Sequence, residues 1–154
     1  MKNIRNAKQQ DISRIAEILV FVKRINFRPI FQDDAFSFGE LQVLSVAKEF
    51  TDHPSILNHI WVYDDGIVKG FIYIDGQEVK QLYVDYFFES AGIGGKLLEF
   101  AIKQYDVCYL WALEKNERAL AFYNKHRFYY KGIWQYEEGT TEHLLKMERS
   151  IENV

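Results

Sequence analysis

Apolar side chains recur along this chain first at helical and then at strand spacing, and the switch between the two periods outlines the fold. Ile12, Ile15, Ile18, Leu19 and Val22 predict an amphipathic helix over 11–25, with Asp11 available as its N-cap. Leu41, Leu44, Val46, Ala47 and Phe50 predict a second helix over 37–51. Pro29 and Pro54, the two prolines, bracket this second helix. From Ile60 the period becomes two. Ile60–Tyr63, an Asp-Asp-Gly turn and Val68–Ile74 read as a hairpin, and Asp75-Gly76 turns the chain again into Val79–Asp85. A glycine-containing loop, 90–95, then leads into a helix carrying Leu97, Leu98, Ala101 and Ile102. Val107–Leu113 is apolar at every position, as a strand covered on both faces would be. Asn116 stands where a short helix with Ala119, Leu120, Phe122 and Tyr123 inward would be capped, and strands near Phe128–Tyr136 and Glu142–Glu148 follow. With a first strand at Ile4–Ala7, the order is β-α-α-β-β-β-α-β-α-β-β. The predicted class is α/β (mixed α+β), a central mixed sheet of about seven strands flanked by four helices, in a single domain spanning 1–154.

Composition narrows the function classes. At 154 residues, 48% hydrophobic and 27% charged, the chain has the makings of a globular domain with an adequate core. A net charge of −3, spread evenly along the chain, argues against nucleic acid or an anionic membrane as the main partner. The single cysteine, Cys108, excludes an internal disulfide framework and a thiolate zinc cluster, and its place in an apolar strand favours packing over nucleophilic chemistry. His53, His59, His126 and His143 show no ligand spacing, so no metal is expected. The longest apolar run is seven residues, and no signal peptide is read at the N-terminus, so a cytoplasmic location is the expectation.

The loop before the third helix carries the candidate chemistry. A strand, a glycine-rich turn and a helix N-terminus together make an anion site, because converging N–H groups and the helix dipole favour negative charge. A Walker A loop is excluded: Ser90 stands where its first glycine belongs and Leu97 where its Mg²⁺-binding hydroxyl belongs. A dinucleotide fingerprint is excluded by Leu97 in place of its third glycine. What remains, Glu89-Ser90-Ala91-Gly92-Ile93-Gly94 followed by Gly95-Lys96, resembles the coenzyme A loop of the GNAT superfamily of N-acetyltransferases, which reads Gln/Arg-x-x-Gly-x-Gly/Ala. Downstream, Asn116, Ala119, Phe122, Tyr123, Lys125 and Phe128 are similar in type and spacing to the family's second motif, so the resemblance covers about residues 4–148.

The resemblance implies acetyl-CoA as co-substrate, no metal, and an acceptor that is a small-molecule or peptide amine, with room for a homodimer. It implies that strands 79–85 and 107–113 splay apart and that the pantetheine arm pairs with main-chain groups of Leu82, Tyr83 and Val84. The pyrophosphate would sit on the N–H groups of Ser90, Ala91, Gly92, Ile93, Gly94 and Gly95, with charge from the helix terminus or Lys96. Asn116 would bond the arm or cap its helix, uses that are compatible. Tyr123 would protonate the leaving thiolate, or serve as core beside Phe122. Candidate bases for the amine's proton are Glu78, Asp85 and Glu114, directly or through water. The acceptor pocket would be built by the first two helices and the segment Phe27–Ser37, where Asp33 and Asp34 stand among phenylalanines either to hold a cationic amine or to cap a helix.

Two positions depart from the family pattern. Glu89 puts a carboxylate beside the phosphates, so that it either faces solvent or weakens the cofactor. Arg127 stands where glycine is usual, a strained choice if φ is positive there. An acyl-CoA-binding sensor or regulatory module without turnover is the alternative reading on the same fold.

Overall fold

A computed structural model describes residues 2–150. Seven strands form one sheet: β1 (Ile4–Asn6), β2 (Ile60–Asp64), β3 (Val68–Asp75), β4 (Glu78–Val84), β5 (Tyr109–Leu113), β6 (Phe128–Tyr136) and β7 (His143–Arg149). The spatial order is β1-β2-β3-β4-β5-β7-β6. All neighbours pair antiparallel except β4 and β5, which are parallel. Helices α1 (Ile12–Phe31) and α2 (Val43–Asp52) cover one face, and α3 (Ile93–Tyr105) and α4 (Glu117–Lys125) the other. The element order is the one read from the hydrophobic periods, and the class is the mixed α/β sheet expected.

Two cores follow from this layering. Ile15, Ile18, Leu19 and Val22 of α1 pack with Phe50 of α2 on Ile60, Val62 and Phe71. Leu97, Leu98 and Ala101 of α3 pack with Ile72, Leu110, Phe128 and Met147 on the opposite face. β5 lies between β4 and β7, with Leu110 and Ala112 in the second core; Tyr109 and Trp111 on its other face are only half-buried, so the cover on both faces expected from its apolar sequence is incomplete. Cys108, just before β5, is half-buried, and its N–H donates to the Gln77 carbonyl at 2.8 Å.

The N-terminal helices differ from expectation in their ends. α1 runs on to Phe31 through Pro29 and closes where Gln32 turns left-handed (φ 52°) and donates its N–H to the Arg28 carbonyl. Pro29 stands in the last turn, where its missing N–H removes one bond of the ladder, that to the Ile25 carbonyl. Asp11 does not cap α1 with its side chain; its carboxylate accepts instead from Arg5 at 2.8 and 3.0 Å and from the Lys8 N–H at 2.8 Å. The predicted 37–51 helix is split, with a π-helical turn at Ala35–Glu40 and α2 proper from Val43. The segment between α1 and α2 is therefore 32–42, with the π-helical turn inside it, not Phe27–Ser37. Arg24 and Arg28 lie over the Phe38 ring and hold that turn against α1.

Candidate active site

The parallel strands β4 and β5 pair at only two positions, Glu78 with Tyr109 and Val79 with Leu110. Past Val79 they part. The cause is visible in the register: between Tyr73/Gln81 and Ile74/Val79 an extra residue, Lys80, bulges from β4, and a bulge bends and twists its strand. The Asp85 N–H donates to the Lys69 carbonyl on β3. N–H directions alternate along a strand, so Tyr83 also addresses β3, whereas the N–H and C=O groups of Leu82 and Val84 face the gap that β5 has left.

A cavity of about 1560 Å³ fills this gap. Leu82, Tyr83, Val84, Glu89, Ser90, Gly92, Gly94, Gly95, Asn116 and Tyr123, all singled out in the sequence, line it. Ala91, Ile93 and Lys96 do not. The Ile93 side chain is 2% exposed in the α3 core, and the Lys96 ammonium lies over the Tyr63 ring, 5.6 Å from its centre. Lys96 therefore does not aim its charge into the cavity, and only the main chain of these residues is available to an anion.

At the glycine end, a short 3₁₀ helix over Tyr86–Ala91 delivers the chain to Gly92, whose φ of 74° is the left-handed conformation glycine adopts without cost. α3 starts at the next residue, so its free N–H groups open on the cavity. A Cβ on Gly94 would stand 3.4 Å from Phe122 and 3.6 Å from Val84, which shows how closely α4 and β4 approach the loop. Glu89 does not stand alone: Arg118 of α4 pairs with it at 3.0 Å, and both line the cavity. His126 lines the same end, and burial lowers its pKa, so the ring is neutral at pH 7. Arg127 has φ 69°, a conformation costing a non-glycine residue on the order of 1 kcal/mol.

In the middle of the cavity Asn116 does two things. Its side-chain oxygen accepts from the Ala119 N–H at 3.3 Å, capping α4, while the residue lines the cavity. Tyr123 packs its ring edge-on against Phe122 and Phe128, with centroids 5.2 and 6.3 Å away. Its surface is half-covered, but the hydroxyl lies deep enough for burial to raise its pKa, as it does for Tyr83. Among the described residues no group hydrogen-bonds to the Tyr123 hydroxyl.

None of the three sequence candidates for the base lines the cavity. Asp85 is bound to Arg14 at 2.6 Å and caps the Phe87 N–H; Glu78 pairs with Lys80 at 3.4 Å; Glu114 is exposed, 3.9 Å from His143. From the first two helices, Phe27, Phe31, Asp33 and Phe36 reach the cavity, and Asp33 also accepts from the Phe36 N–H at 3.1 Å. Asp34 does not reach it; Arg28 holds that carboxylate at 2.7 Å. Sequence reading missed Lys23, Gln81, Arg118 and Glu137, which line the cavity from α1, β4, α4 and the β6–β7 loop. The described residues include no group of three or more His, Cys, Asp or Glu side chains able to hold a metal ion, and no helix long and apolar enough to cross a membrane.

Residues 57–130, the stretch from β2 through α4 that forms the gap, match the model of the acetyltransferase (GNAT) domain. Over that stretch the chain is similar to GNAT acetyltransferases. Solved structures agree on the fold over nearly the whole chain. An N-acetyltransferase from Staphylococcus aureus Mu50 superposes with a TM-score of 0.73 at 17% identity, covering 94% of this chain and 98% of that one. YncA from Salmonella typhimurium, solved with its cofactor acetyl-CoA, gives 0.64 at 16% identity over 98% and 94%. The PaiA N-acetyltransferase from Thermoplasma acidophilum, in complex with coenzyme A, gives 0.56 at 20% identity over 96% and 98%. No curated protein sequence matches the chain. The chain thus shares its fold with proteins solved with coenzyme A or acetyl-CoA.

Proposed function

We propose that this protein moves an acetyl group from acetyl-CoA to a primary amine of a small molecule or peptide, by direct attack in a ternary complex. The observation that carries the reading is the parting of β4 from β5, which turns the N–H and C=O groups of Leu82 and Val84 toward a cavity that Tyr123 also lines. The pantetheine amides would add to β4 as a short strand. The pyrophosphate would take the N–H groups of the 90–95 loop and the N-terminus of α3. Arg118 neutralises Glu89 and brings a cation to that end, which removes the main electrostatic objection to phosphate binding there.

The chemistry then follows from the residues. A neutral amine attacks the thioester carbon, and the Val84 N–H, facing the gap, stabilises the developing oxyanion. The Tyr123 hydroxyl, held protonated by burial and without a hydrogen-bond partner among the described residues, protonates the departing thiolate. Incubation with acetyl-CoA and a panel of primary amines, followed by release of free thiol, tests the reading. Amine-dependent thiol release supports it. Tight acetyl-CoA binding with no amine-dependent release points to a sensor module instead.

A further inference from the structure

The cavity continues past Tyr123 to a second end, walled by α1, by β4 and by the loop between β6 and β7. The β4 bulge decides what faces it. Gln81 is registered with Tyr73, and Tyr83 with Phe71, on the α1 side of the sheet, while Leu82 faces the α3 side. Gln81 Oε1 is buried without a hydrogen-bond partner among the described residues. Native proteins leave few such atoms, and one in a cavity is available to a donor carried in by a ligand.

Glu137 lines the same end from the β6–β7 loop. Its N–H donates to the Glu142 carbonyl at 2.8 Å, and its own carbonyl accepts from the Thr140 N–H and hydroxyl, each at 3.0 Å. The loop therefore holds Glu137 in a fixed place. Among the described residues its carboxylate has no hydrogen bond or ion pair. Lys23 from α1 and Tyr83 from β4 both feel its charge, and Tyr83 in turn feels Tyr123. The other charged groups at this end are Glu138 and Glu142 in the loop, the latter paired with Lys115 at 3.0 Å, Asp33 and Glu40 beside α1, and Lys80 on β4, paired with Glu78 at 3.4 Å. Burial lowers the pKa of Lys23, the basic group that α1 contributes here, and the charge of Glu137 partly opposes this. The balance is acidic, with Phe27 and Phe31 as apolar wall.

We infer that this end is the acceptor subsite for a protonated primary amine, in which Gln81 Oε1 receives an N–H of the amine and Glu137 takes its proton. The inference rests on the acetyltransferase reading above. The ammonium gives one proton to the Glu137 carboxylate, and the freed lone pair forms the C–N bond to the thioester carbon. The C–S bond breaks and the thiolate takes the Tyr123 proton. The acylated nitrogen loses its second proton through solvent, which restores Tyr123, and Glu137 releases its own to water. The products are an amide, free coenzyme A and one proton.

The test is the pH profile of thiol release for the wild type, Glu137→Gln, Glu137→Asp and Gln81→Met, with a good alkylamine acceptor. Glu137→Gln is expected to lose about 10²–10³-fold in kcat/KM near neutral pH. Its deficit should shrink as pH rises toward an alkylamine pKa of about 10.4, because solvent then deprotonates the amine. Acetyl-CoA affinity by calorimetry should not change. Glu137→Asp should keep the wild-type pH slope at a lower rate, and Gln81→Met should raise the acceptor KM about tenfold. A Glu137→Gln enzyme with wild-type kcat/KM, or with a deficit constant across pH, overturns the inference while leaving acetyl transfer standing. A wild type that releases no thiol with any amine overturns both.

Discussion

Glu89 and Arg118 face each other at 3.0 Å across the glycine end of the cavity, the carboxylate largely covered and the guanidinium largely exposed. The pair joins the loop before α3 to the first turn of α4, the two segments that carry the family motifs. It settles an apparent conflict, since a bare carboxylate beside a pyrophosphate would repel it and a paired one does not.

Arg118→Ala should therefore weaken acetyl-CoA binding roughly two- to fivefold, the scale of a solvent-exposed charge interaction. Glu89→Gln should strengthen it by a similar factor, because Arg118 is released toward the phosphates. Isothermal calorimetry on the two variants reads opposite signs, with melting temperatures little changed.

Gly94→Ala should fold normally, since the added Cβ stands at ordinary contact distance from Phe122 and Val84. The larger valine would press branched methyls against the same two side chains and cost stability as well. Acetyl-CoA affinity of Gly94→Ala should fall by about tenfold, or about 1.4 kcal/mol, if the loop cradles the pyrophosphate. Unchanged affinity would move the anion elsewhere.

Tyr123→Phe keeps the ring packed against Phe122 and Phe128 and removes a hydroxyl that no group among the described residues engages. Stability should hardly move. Turnover should drop about 10²–10⁴-fold with little change in acetyl-CoA affinity, because the hydroxyl acts only as the thiolate leaves. Full kcat would remove Tyr123 from the reaction and make it a core residue.

Acid stability should depend on Asp11. Hydrogen bonds from Arg5 hold its carboxyl below the ordinary value of 3.8, and Asp64 is lowered by the Gly66 N–H and by the same arginine. A depressed folded-state pKa adds stability above the unfolded value, and that stability is lost as pH falls through the folded one. The wild type should thus lose stability below about pH 4, and Asp11→Asn should lose on the order of 2 kcal/mol at neutral pH with a flatter acid limb. Urea melts at a series of pH values check both.

Much of this architecture could be read from residue spacing because each element buries one or two faces of its own. Leu110 and Ala112 mark the buried face of β5, and Leu97, Leu98 and Ala101 the buried stripe of α3. The site was legible where a local motif carries it, as at Gly92, Asn116 and Tyr123. It was not legible where long-range geometry sets it. Strict alternation from Val79 would put Gln81 on the α3 side; the bulge at Lys80 sends it to the α1 side. Glu137 reaches the cavity only because β7 lies beside β5, with β6 at the sheet edge, and that order brings the β6–β7 loop over to α1. α1 runs past its expected end at residue 25 for a smaller reason: the apolar stripe stops at Val22, yet the helix continues through Pro29 to Phe31.

Direct transfer in a ternary complex is tested most directly by counting products. With saturating acetyl-CoA and a responsive amine, thiol released and acetylated amine formed, measured together by thiol titration and mass spectrometry, should rise in a ratio of one to one. Rates at varied concentrations of both substrates should give intersecting double-reciprocal lines. Thiol release without acetylated amine, or parallel lines with an acetylated protein, would contradict the account.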